Sequence, residues 1–310
     1  ARADGHVLYA LDTDMVAGVF TYELAGGVET RIYHATDKRL VDVATHPEHE
    51  AVACSIRHKN GTSSIALMRE DGSEIQIVTD GDTIDLAPRW IPDAPRSLVF
   101  QSAGVGRDAG GVFAGVGPFA VQRLDVESGE LTTQIEDERF DFVLPQRAKG
   151  GDLYCVKRPY AGADKSVPVG RVVGDALLAP FRMGNAVVQY LNFFTTRYTG
   201  KPLVTSKGAR SRAADAKRMA ELGNLAAANE AARRALEREE QDAGQVPATW
   251  ELVRIDRAGE TEVVARGVAS FDLTPEGIVH TDGRHIRYQR FGEDAAKIAS
   301  DVDIERVVAL

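Results

Sequence analysis

A repeating order of four short apolar strands constrains the fold of this chain more than any other feature of its sequence. One copy runs from Val41 to Val78, where turn residues separate four apolar or alternating stretches and Asp71-Gly72 forms the last turn. Stretches of this kind are typical of strands, and Asp-Gly is a strong hairpin signal. Similar copies begin at Ala87, Phe142 and Ser270. Such a repeat predicts a sandwich, barrel or propeller built from one structural unit.

The two ends of the chain predict how the repeat closes. The N-terminal part supplies three strands, over residues 6–11, 18–24 and 29–34, and residues 304–310 supply one more. Three strands plus one complete a further unit, and propellers commonly close their ring in this way because closure removes exposed sheet edges. The predicted fold class is therefore all-β: a β-propeller of five four-stranded blades, with six blades as the alternative, closed by the N- and C-terminal strands.

Turn motifs inside the repeats resemble one propeller family. Arg89-Trp90-Ile91-Pro92-Asp93, followed by the apolar strand at 97–102, is similar to the repeat of TolB-like or WD-type bacterial propellers, which usually reads Trp-Ser-Pro-Asp-Gly before a strand. His46-Pro47-Glu48, residues 274–277 and residues 2–5 resemble degenerate copies. Ile91 replaces the usual serine and Ala94-Pro95 replaces glycine, which leaves the subfamily open. The resemblance implies a propeller fold, and a fold does not imply an activity.

A long insertion interrupts the fourth blade. Residues 161–248 stand where the other blades have a short loop, and loops of this length are usually functional or disordered. The predicted organisation is residues 1–160 for blades 1–3 and half of blade 4, the insertion, and residues 249–310 for the remainder and the closing strand of blade 1. The insertion is predicted to be α-helical, with one helix near residues 175–196 and a second over 211–241.

The first of these helices carries the predicted partner-binding residues. Its polar residues form a narrow seam from Arg182 to Thr196, so most of its circumference is apolar. The helix can pack on its own propeller, dock on a partner protein or lie on a membrane, although the wide lysine-rich face of a membrane-surface helix is missing. Residues 197–218 are locally basic and form either a solvated linker or a contact for an acidic partner. The residues predicted to bind a partner are Phe181, Val187, Tyr190, Leu191, Phe193, Phe194, Arg197, Tyr198 and Lys201.

The sequence contains few signals of catalysis. It has no Gly-x-Ser-x-Gly elbow, and the glycine-rich stretch 102–111 has neither the P-loop nor the dinucleotide-binding pattern, which predicts a mobile loop over a propeller face. His46 and His49 with Glu48 and Glu50 can hold a metal, but they stand where other copies place a turn, which favours a structural role. Recurring aspartates at the first strands are predicted to accept hydrogen bonds from turn amides: Asp42, Asp85, Asp141, Asp272 and Asp303.

Composition narrows the class of partner and the compartment. The net charge of −9 disfavours a nucleic-acid binder, which would carry a basic footprint. Cys54 and Cys155 lie in apolar runs, so both are predicted to be buried without a disulfide. No apolar run is long enough for a transmembrane helix. Low cysteine content fits a bacterial cytoplasmic protein, whereas a removed signal peptide would make the protein periplasmic.

Two functions are consistent with these features. The first is a non-enzymatic protein-binding scaffold, in which a propeller disc carries a helical docking arm as part of a bacterial multi-protein, ATPase-associated system. The alternative is a propeller lyase or hydrolase that uses carboxylates at the central funnel, with the insertion as a lid. The lack of catalytic, metal and cofactor motifs favours the scaffold, and no catalytic residue, metal ligand or cofactor is predicted.

Overall fold

The computed structural model describes residues 5–12, 17–35, 38–46, 48–107, 111, 113–161, 245–301 and 304–309. These residues contain twenty strands and no helix. The insertion predicted at 161–248 lies outside the described residues except at its two ends. The strands are β1 (His6–Asp12), β2 (Ala17–Glu23), β3 (Glu29–Ala35), β4 (Arg39–Thr45), β5 (Ala51–Arg57), β6 (Ser63–Arg69), β7 (Gln76–Ile77), β8 (Thr83–Ile91), β9 (Ala94–Arg107), β10 (Phe113–Val116), β11 (Ala120–Asp125), β12 (Leu131–Ile135), β13 (Phe140–Arg147), β14 (Leu153–Pro159), β15 (Glu251–Ile255), β16 (Thr261–Arg266), β17 (Ser270–Leu273), β18 (Gly277–Thr281), β19 (His285–Arg290) and β20 (Ala296–Ser300).

The strands form five consecutive antiparallel blades. Blade 1 contains β1–β3, blade 2 contains β4–β7, and blade 3 contains β8, β9, β11 and β12, with β10 added to the end of β9. Blades 4 and 5 contain β13–β16 and β17–β20. Blades 2 and 3 share one sheet only through a parallel bridge between Ser63 and Ile84. The predicted fold class, an all-β propeller with five blades, is confirmed.

Apolar side chains fill the interfaces between neighbouring blades. On the inner strands β4 and β13, buried positions alternate with partly buried ones or predominate, as expected for a strand between two packed sheets. Burial of each large aliphatic or aromatic side chain contributes about 1.5–3 kcal/mol. Among the described residues, these clusters join blades 1 and 2 (Val19, Leu40, Val52), 2 and 3 (Ile65, Leu98, Phe100), 3 and 4 (Val99, Val121, Phe142), and 4 and 5 (Val156, Leu252, Phe271).

The two cysteines belong to this core. Cys54 on β5 and Cys155 on β14 are fully buried and free. Burial raises the pKa of the Cys54 thiol to about 12, so the reactive thiolate is not populated near neutral pH. The prediction that both residues act as small buried hydrophobes is confirmed.

The closing segment, residues 304–309, lies between the inner strands of blades 5 and 2 without forming a strand. The Val307 amide donates to Ser270 Oγ at 3.3 Å, and the Ala309 amide donates to Asp272 Oδ2 at 2.8 Å. Arg306 reaches Asp42 on the other side at 2.6 Å. The segment therefore connects the inner strands of blades 5 and 2. It differs from the predicted strand because the Ile304 amide bonds to the Gly283 carbonyl and the Val307 and Ala309 amides bond to side chains of β17, so no ladder with β1 forms.

The glycine-rich stretch after residue 102 corrects a prediction. Instead of a loop, β9 continues to Arg107 and pairs first with β8 and then with β10. The backbone bonds on both sides outweigh the conformational freedom of Gly104 and Gly106. Residues 108–110 and 112, at the tip, lie outside the described residues.

Substitution of Gly72 is expected to disturb the contact between blades 1 and 2. Gly72 has φ +83°, and a Cβ atom there would lie 2.3 Å from the carbonyl oxygen of Ile32 on β3. Gly259 has φ +85° with nothing near its Cβ position, so Gly259→Ala measures the backbone strain alone, about 1 kcal/mol. Gly72→Ala should lower the free energy of unfolding by a further 1–3 kcal/mol or so in denaturant titrations. Equal losses in the two variants would contradict this packing.

Candidate functional site at the central channel

The inner strands of the blades surround a narrow central channel. Its lining comes from β4, β8, β13, β17 and the closing segment, so each of the five blade positions contributes to it. The cavity inside it is about 10 Å³, which is room for roughly one water molecule. The polar and charged side chains in the lining are Asp42, Arg89, Gln146, Ser270 and Arg306.

Backbone bulges direct two of these side chains into the channel. The ladder between β8 and β9 shifts register between Leu86 and Arg89, and Ala87 has φ 53°. The ladder between β13 and β14 shifts before Gln146, and Leu144 has φ 56°. Each bulged residue precedes a proline. The proline keeps the residue before it out of the right-handed helical region, and it has no N–H to donate to the ladder. A bulge redirects the next side chain, which accounts for the positions of Arg89 and Gln146.

A ring of side-chain hydrogen bonds connects the inner strands around the channel. Asp42 of blade 2 accepts from Arg306 at 2.6 Å and from the Ala87 amide of blade 3 at 3.1 Å. Gln101 of blade 3 accepts from the Leu144 amide of blade 4 at 2.8 Å. We call this set, completed below, the interblade ring.

The interblade ring continues through blades 4 and 5. Gln146 donates to the Phe271 carbonyl at 3.0 Å and accepts from the Leu273 amide at 3.2 Å. Asp272 then accepts from the Ala309 amide at 2.8 Å, which returns the ring to the closing segment. These contacts satisfy backbone groups that have no ladder partner, on the free edge of β17 and in the closing segment.

The recurring aspartates have structural roles. Asp42 and Asp272 belong to the interblade ring, and Asp141 accepts from the Phe119 amide of blade 3 at 3.0 Å. Asp85 accepts from the hydroxyls of Thr79 and Ser102, both at 2.6 Å. The prediction of a structural role is confirmed for these four aspartates. Their hydrogen-bond donors are backbone amides of neighbouring blades and of the closing segment, and also side-chain groups. Asp303 lies outside the described residues.

The pKa values of two buried carboxyls, Asp42 and Asp141, shift in opposite directions. Burial on its own would raise the pKa of Asp42, but Arg306 and the Ala87 amide more than compensate, so this pKa is lowered. For Asp141, burial outweighs the charge of Arg158, which lies 3.1 Å away, and the pKa is raised. Neither carboxyl has the free position that a general acid or base needs.

Arg89 differs from the other charged residues of the channel. Burial lowers the pKa of its guanidinium, while Asp272 and Asp42 raise it from a distance. Its side chain forms no hydrogen bond or ion pair with any described residue. Sequence reasoning quoted Arg89 only as part of a turn motif and missed Gln146 and Arg306. The Ala87-Pro88 and Leu144-Pro145 pairs, at equivalent positions of two repeats, were the signal available.

His46 and His49, the candidate metal ligands in the sequence, lie in a turn. His46 Nε2 lies 2.7 Å from the Pro95 carbonyl of blade 3, and Nδ1 accepts from the amides of Glu48 and His49 at 2.9 Å each. With both nitrogens used, His46 is not free to bind a metal, and its structural role is confirmed. No group of three or more metal-binding side chains occurs in the part of the chain that the structure describes.

The predicted partner-binding residues, from Phe181 to Lys201, lie outside the described residues. The two ends of the insertion are described and held firmly. Tyr160 donates from its hydroxyl to the Val116 carbonyl at 2.5 Å, and the Gln245 amide donates to the Asp282 carbonyl at 2.9 Å. Arg158 and Trp250, on either side of the insertion, stack at 5.0 Å. The insertion therefore starts and ends on the propeller blades.

A buried polar cluster lies on blade 5. Asp282 accepts from Arg287 at 2.6 Å and lies 3.0 Å from His285 Nδ1. Burial on its own would raise the pKa of Asp282, but these bonds hold it well below its usual range. His280 stands opposite Arg287 in the ladder and is 3% exposed, with no hydrogen-bond partner for either ring nitrogen. Burial and the charge of Arg287 lower the pKa of His280 to about 4.

His280 is expected to make stability depend on pH. Its pKa is lower in the folded than in the unfolded chain, so its contribution is present above the unfolded value and is lost as pH falls toward about 4. At each pH the free energy of unfolding of the wild type is compared with that of His280→Phe. This relative stability of the wild type should fall by about 1–2 kcal/mol as the pH is lowered from ~7.5 to ~5. The variant should equal or exceed the wild type in stability at neutral pH, because it removes two unpartnered nitrogens. A difference that is constant with pH would refute the assignment.

Comparison with known proteins supports the fold. TolB from Acinetobacter baumannii matches with a TM-score of 0.52 at 11% identity, over 97% of this chain and 53% of that chain. The tricorn protease matches with a TM-score of 0.47 at 12% identity, over 93% of this chain and 25% of that chain. An oligogalacturonate lyase in complex with manganese matches with a TM-score of 0.35 at 16% identity, over 47% of this chain and 37% of that chain.

The TolB match confirms the predicted resemblance at the level of the fold: the chain has a β-propeller fold similar to that of TolB. It spans 53% of the length of that TolB structure. No protein-family model and no curated protein matches the sequence. Within the described residues, no helix has the length and hydropathy needed to cross a membrane.

Proposed function

We propose that this chain is a non-enzymatic scaffold that binds a protein partner, with the propeller as the rigid body and residues 161–248 as the docking arm. The observation that carries this proposal is the use of the channel carboxylates. Asp42 and Asp272 are occupied in the interblade ring, and Asp141 is paired with Arg158. A lyase or hydrolase at the funnel would need convergent titratable groups that are free to exchange protons with a substrate.

The attachment of the insertion supports the proposed docking arm. The buried Asp141 and Arg158 and the partly buried Trp250 form one group beside both ends of the insertion. The Gln245 and Val246 amides bond to blade 5. A binding segment that leaves a rigid base at two fixed points loses less orientational freedom on binding than a segment on a flexible tail. We take Phe181, Tyr190, Phe193 and Phe194 as its principal apolar contacts and Arg197 and Lys201 as its charged contacts.

The partner class that suits this arrangement is a protein subunit of a bacterial multi-protein system that includes an ATPase. The proposal applies equally to a cytoplasmic and a periplasmic assembly, because the residues proposed to contact the partner are the same in either compartment. Aromatic side chains with a neighbouring arginine are typical of interface hot spots, and Phe193, Phe194 and Arg197 have this composition.

A comparative pull-down tests the proposal. The full chain is compared with a variant whose residues 165–241 are replaced by a Gly-Ser linker, which retains Gln245 and Val246 on blade 5. A second variant, Phe193→Ser with Phe194→Ser, is matched by Ile298→Ser on the exposed outer strand of blade 5. Bound proteins are identified by mass spectrometry. We expect the linker and double variants to lose a partner that the full chain and Ile298→Ser retain. An identical set of partners for all four proteins would refute the docking arm.

A further inference from the structure

One turn of blade 5 holds two parts of the chain that lie outside that blade. We call this turn, residues 282–284 between β18 and β19, the anchor turn. The Asp282 carbonyl accepts from the amides of Gln245 and Val246, at 2.9 and 3.3 Å. These two residues lie at the C-terminal end of the insertion, so the insertion returns to the propeller at the anchor turn.

The other two carbonyls of the anchor turn hold the C-terminal part of the chain. The Gly283 carbonyl accepts from the Ile304 amide at 2.8 Å. The Arg284 carbonyl accepts from the Asp301 amide at 2.9 Å. Three consecutive carbonyls therefore bind both the end of the insertion and the first residue of the closing segment.

The side chain of Asp282 holds the anchor turn in one conformation. Its carboxylate accepts from the amides of Arg284 and His285, at 3.0 and 2.8 Å. It also accepts from Arg287 at 2.6 Å, and Asp282 is buried. A buried polar group that loses its partner is costly. The anchor turn is therefore expected to move as a unit, and not one carbonyl at a time.

The insertion end packs closely on the peptide group that holds the closing segment. Gly283 has φ +93°, and a Cβ atom there would lie 2.9 Å from the Cβ atom of Gln245. The carbonyl of the same glycine accepts from Ile304. A displacement of Gln245 is thus transmitted to the bond of Ile304 through a single residue.

This arrangement links the docking arm to the closure of the ring. We propose that the anchor turn couples the attachment of the insertion to the attachment of the closing segment, so that loosening either one loosens the other. Coupling of this kind is reciprocal. A partner that fixes the insertion end would therefore strengthen ring closure. This role in partner binding rests on the proposed function, whereas the coupling itself can be measured on the chain alone.

Native-state hydrogen exchange of the full chain tests the coupling without any substitution. NMR follows the amides of Gln245 and Ile304 at increasing denaturant below the unfolding transition. The Phe142 amide, bonded to the Phe119 carbonyl between blades 4 and 3 at 2.8 Å, is the reference. We expect Gln245 and Ile304 to exchange through one shared opening, with protection factors that agree within about threefold and have the same denaturant dependence. Phe142 should stay more protected than both.

Two proline variants assign the coupling to the anchor turn. Ile304→Pro removes the N–H that bonds to Gly283. Phe291→Pro removes the N–H that bonds to the Glu276 carbonyl at 3.1 Å, elsewhere on blade 5. Ile304→Pro should accelerate exchange of the Gln245 amide by about tenfold, the effect of one hydrogen bond on an equilibrium. Phe291→Pro should leave it within about twofold of the wild type.

The possible outcomes decide the coupling separately from the docking arm. Different denaturant dependences for Gln245 and Ile304, or protection of both equal to that of Phe142, would overturn the coupling. Unchanged exchange of Gln245 in Ile304→Pro, or equal acceleration in Phe291→Pro, would do the same. Circular dichroism checks that both variants are folded. If Ile304→Pro does not fold, the exchange of the wild type decides alone.

The pull-down described above completes the separation. Coupled exchange together with a failed pull-down would leave the anchor turn standing and remove the docking arm. A positive pull-down with independent exchange of Gln245 and Ile304 would retain the docking arm and remove the coupling.

Discussion

Replacement of Arg158 by leucine is expected to lower the free energy of unfolding by about 3–5 kcal/mol. Arg158 and Asp141 form an ion pair with an Nε–Oδ2 distance of 3.1 Å, and each side chain is only 10% exposed. The substitution leaves Asp141 buried without its cation and removes the stacking of Arg158 on Trp250. Denaturant titration followed by circular dichroism measures the loss.

A surface pair on the same blade provides the matched control. Arg254 and Asp152 are closer, at 2.7 Å, but their side chains are 40% and 25% exposed. Solvent screens such a pair, so Arg254→Leu should cost at most about 1 kcal/mol. Because the exposed pair is the closer of the two, the comparison separates the effect of burial on the free energy of unfolding from the effect of distance. Equal losses for Arg158→Leu and Arg254→Leu would contradict the interpretation of Asp141 as a buried, dependent carboxylate.

Removal of residues 304–310 is expected to open the ring and to lower the free energy of unfolding by about 3–4 kcal/mol. Asp42 loses Arg306, Asp272 loses the Ala309 amide, and the buried side chain of Val307 is removed. Arg306 is half exposed, so its ion pair alone accounts for only part of the loss.

Two point variants separate the contributions to ring closure. Arg306→Met should lower the free energy of unfolding by about 1–2 kcal/mol, because Asp42 retains the Ala87 amide. Val308→Ala should have little effect, since Val308 is exposed. Hydrogen exchange should show faster exchange at the amides of Ala87 and β17 in the truncated chain. An unchanged unfolding transition in the truncated chain would mean that the blades close the ring without the segment.

Local patterns allowed much of the fold to be predicted from the sequence. The positions of strands β4–β6, the Asp71-Gly72 hairpin and the burial of Cys54 follow from residues close in the chain, because strand periodicity and turn chemistry are local properties. The repeat then gave the number of blades. The same reasoning failed at residues 102–107, where glycines suggested a loop and pairing on both sides of β9 made a strand.

The candidate site, in contrast, depends on contacts between residues that lie far apart in the sequence. The sequence drew attention to residues 181–201, whose role as a partner-binding surface stays a prediction. It did not identify Arg89, Gln146 and Arg306 as neighbours in one channel. Arg306 and Asp42 are separated by 264 positions in the chain. Their contact exists only because the ring closes, and no local pattern encodes it.

The sequence by itself determined most of the strands and turns of the described blades and how many blades there are. Only the tertiary structure decided which carboxylates of the described blades are occupied by partners from other blades. The physical reason is that a strand is specified by the alternation of neighbouring side chains, whereas a channel charge is defined by partners from other blades. Asp42 and Asp272, for example, are occupied by Arg306, the Ala87 amide and the Ala309 amide, which come from other parts of the ring.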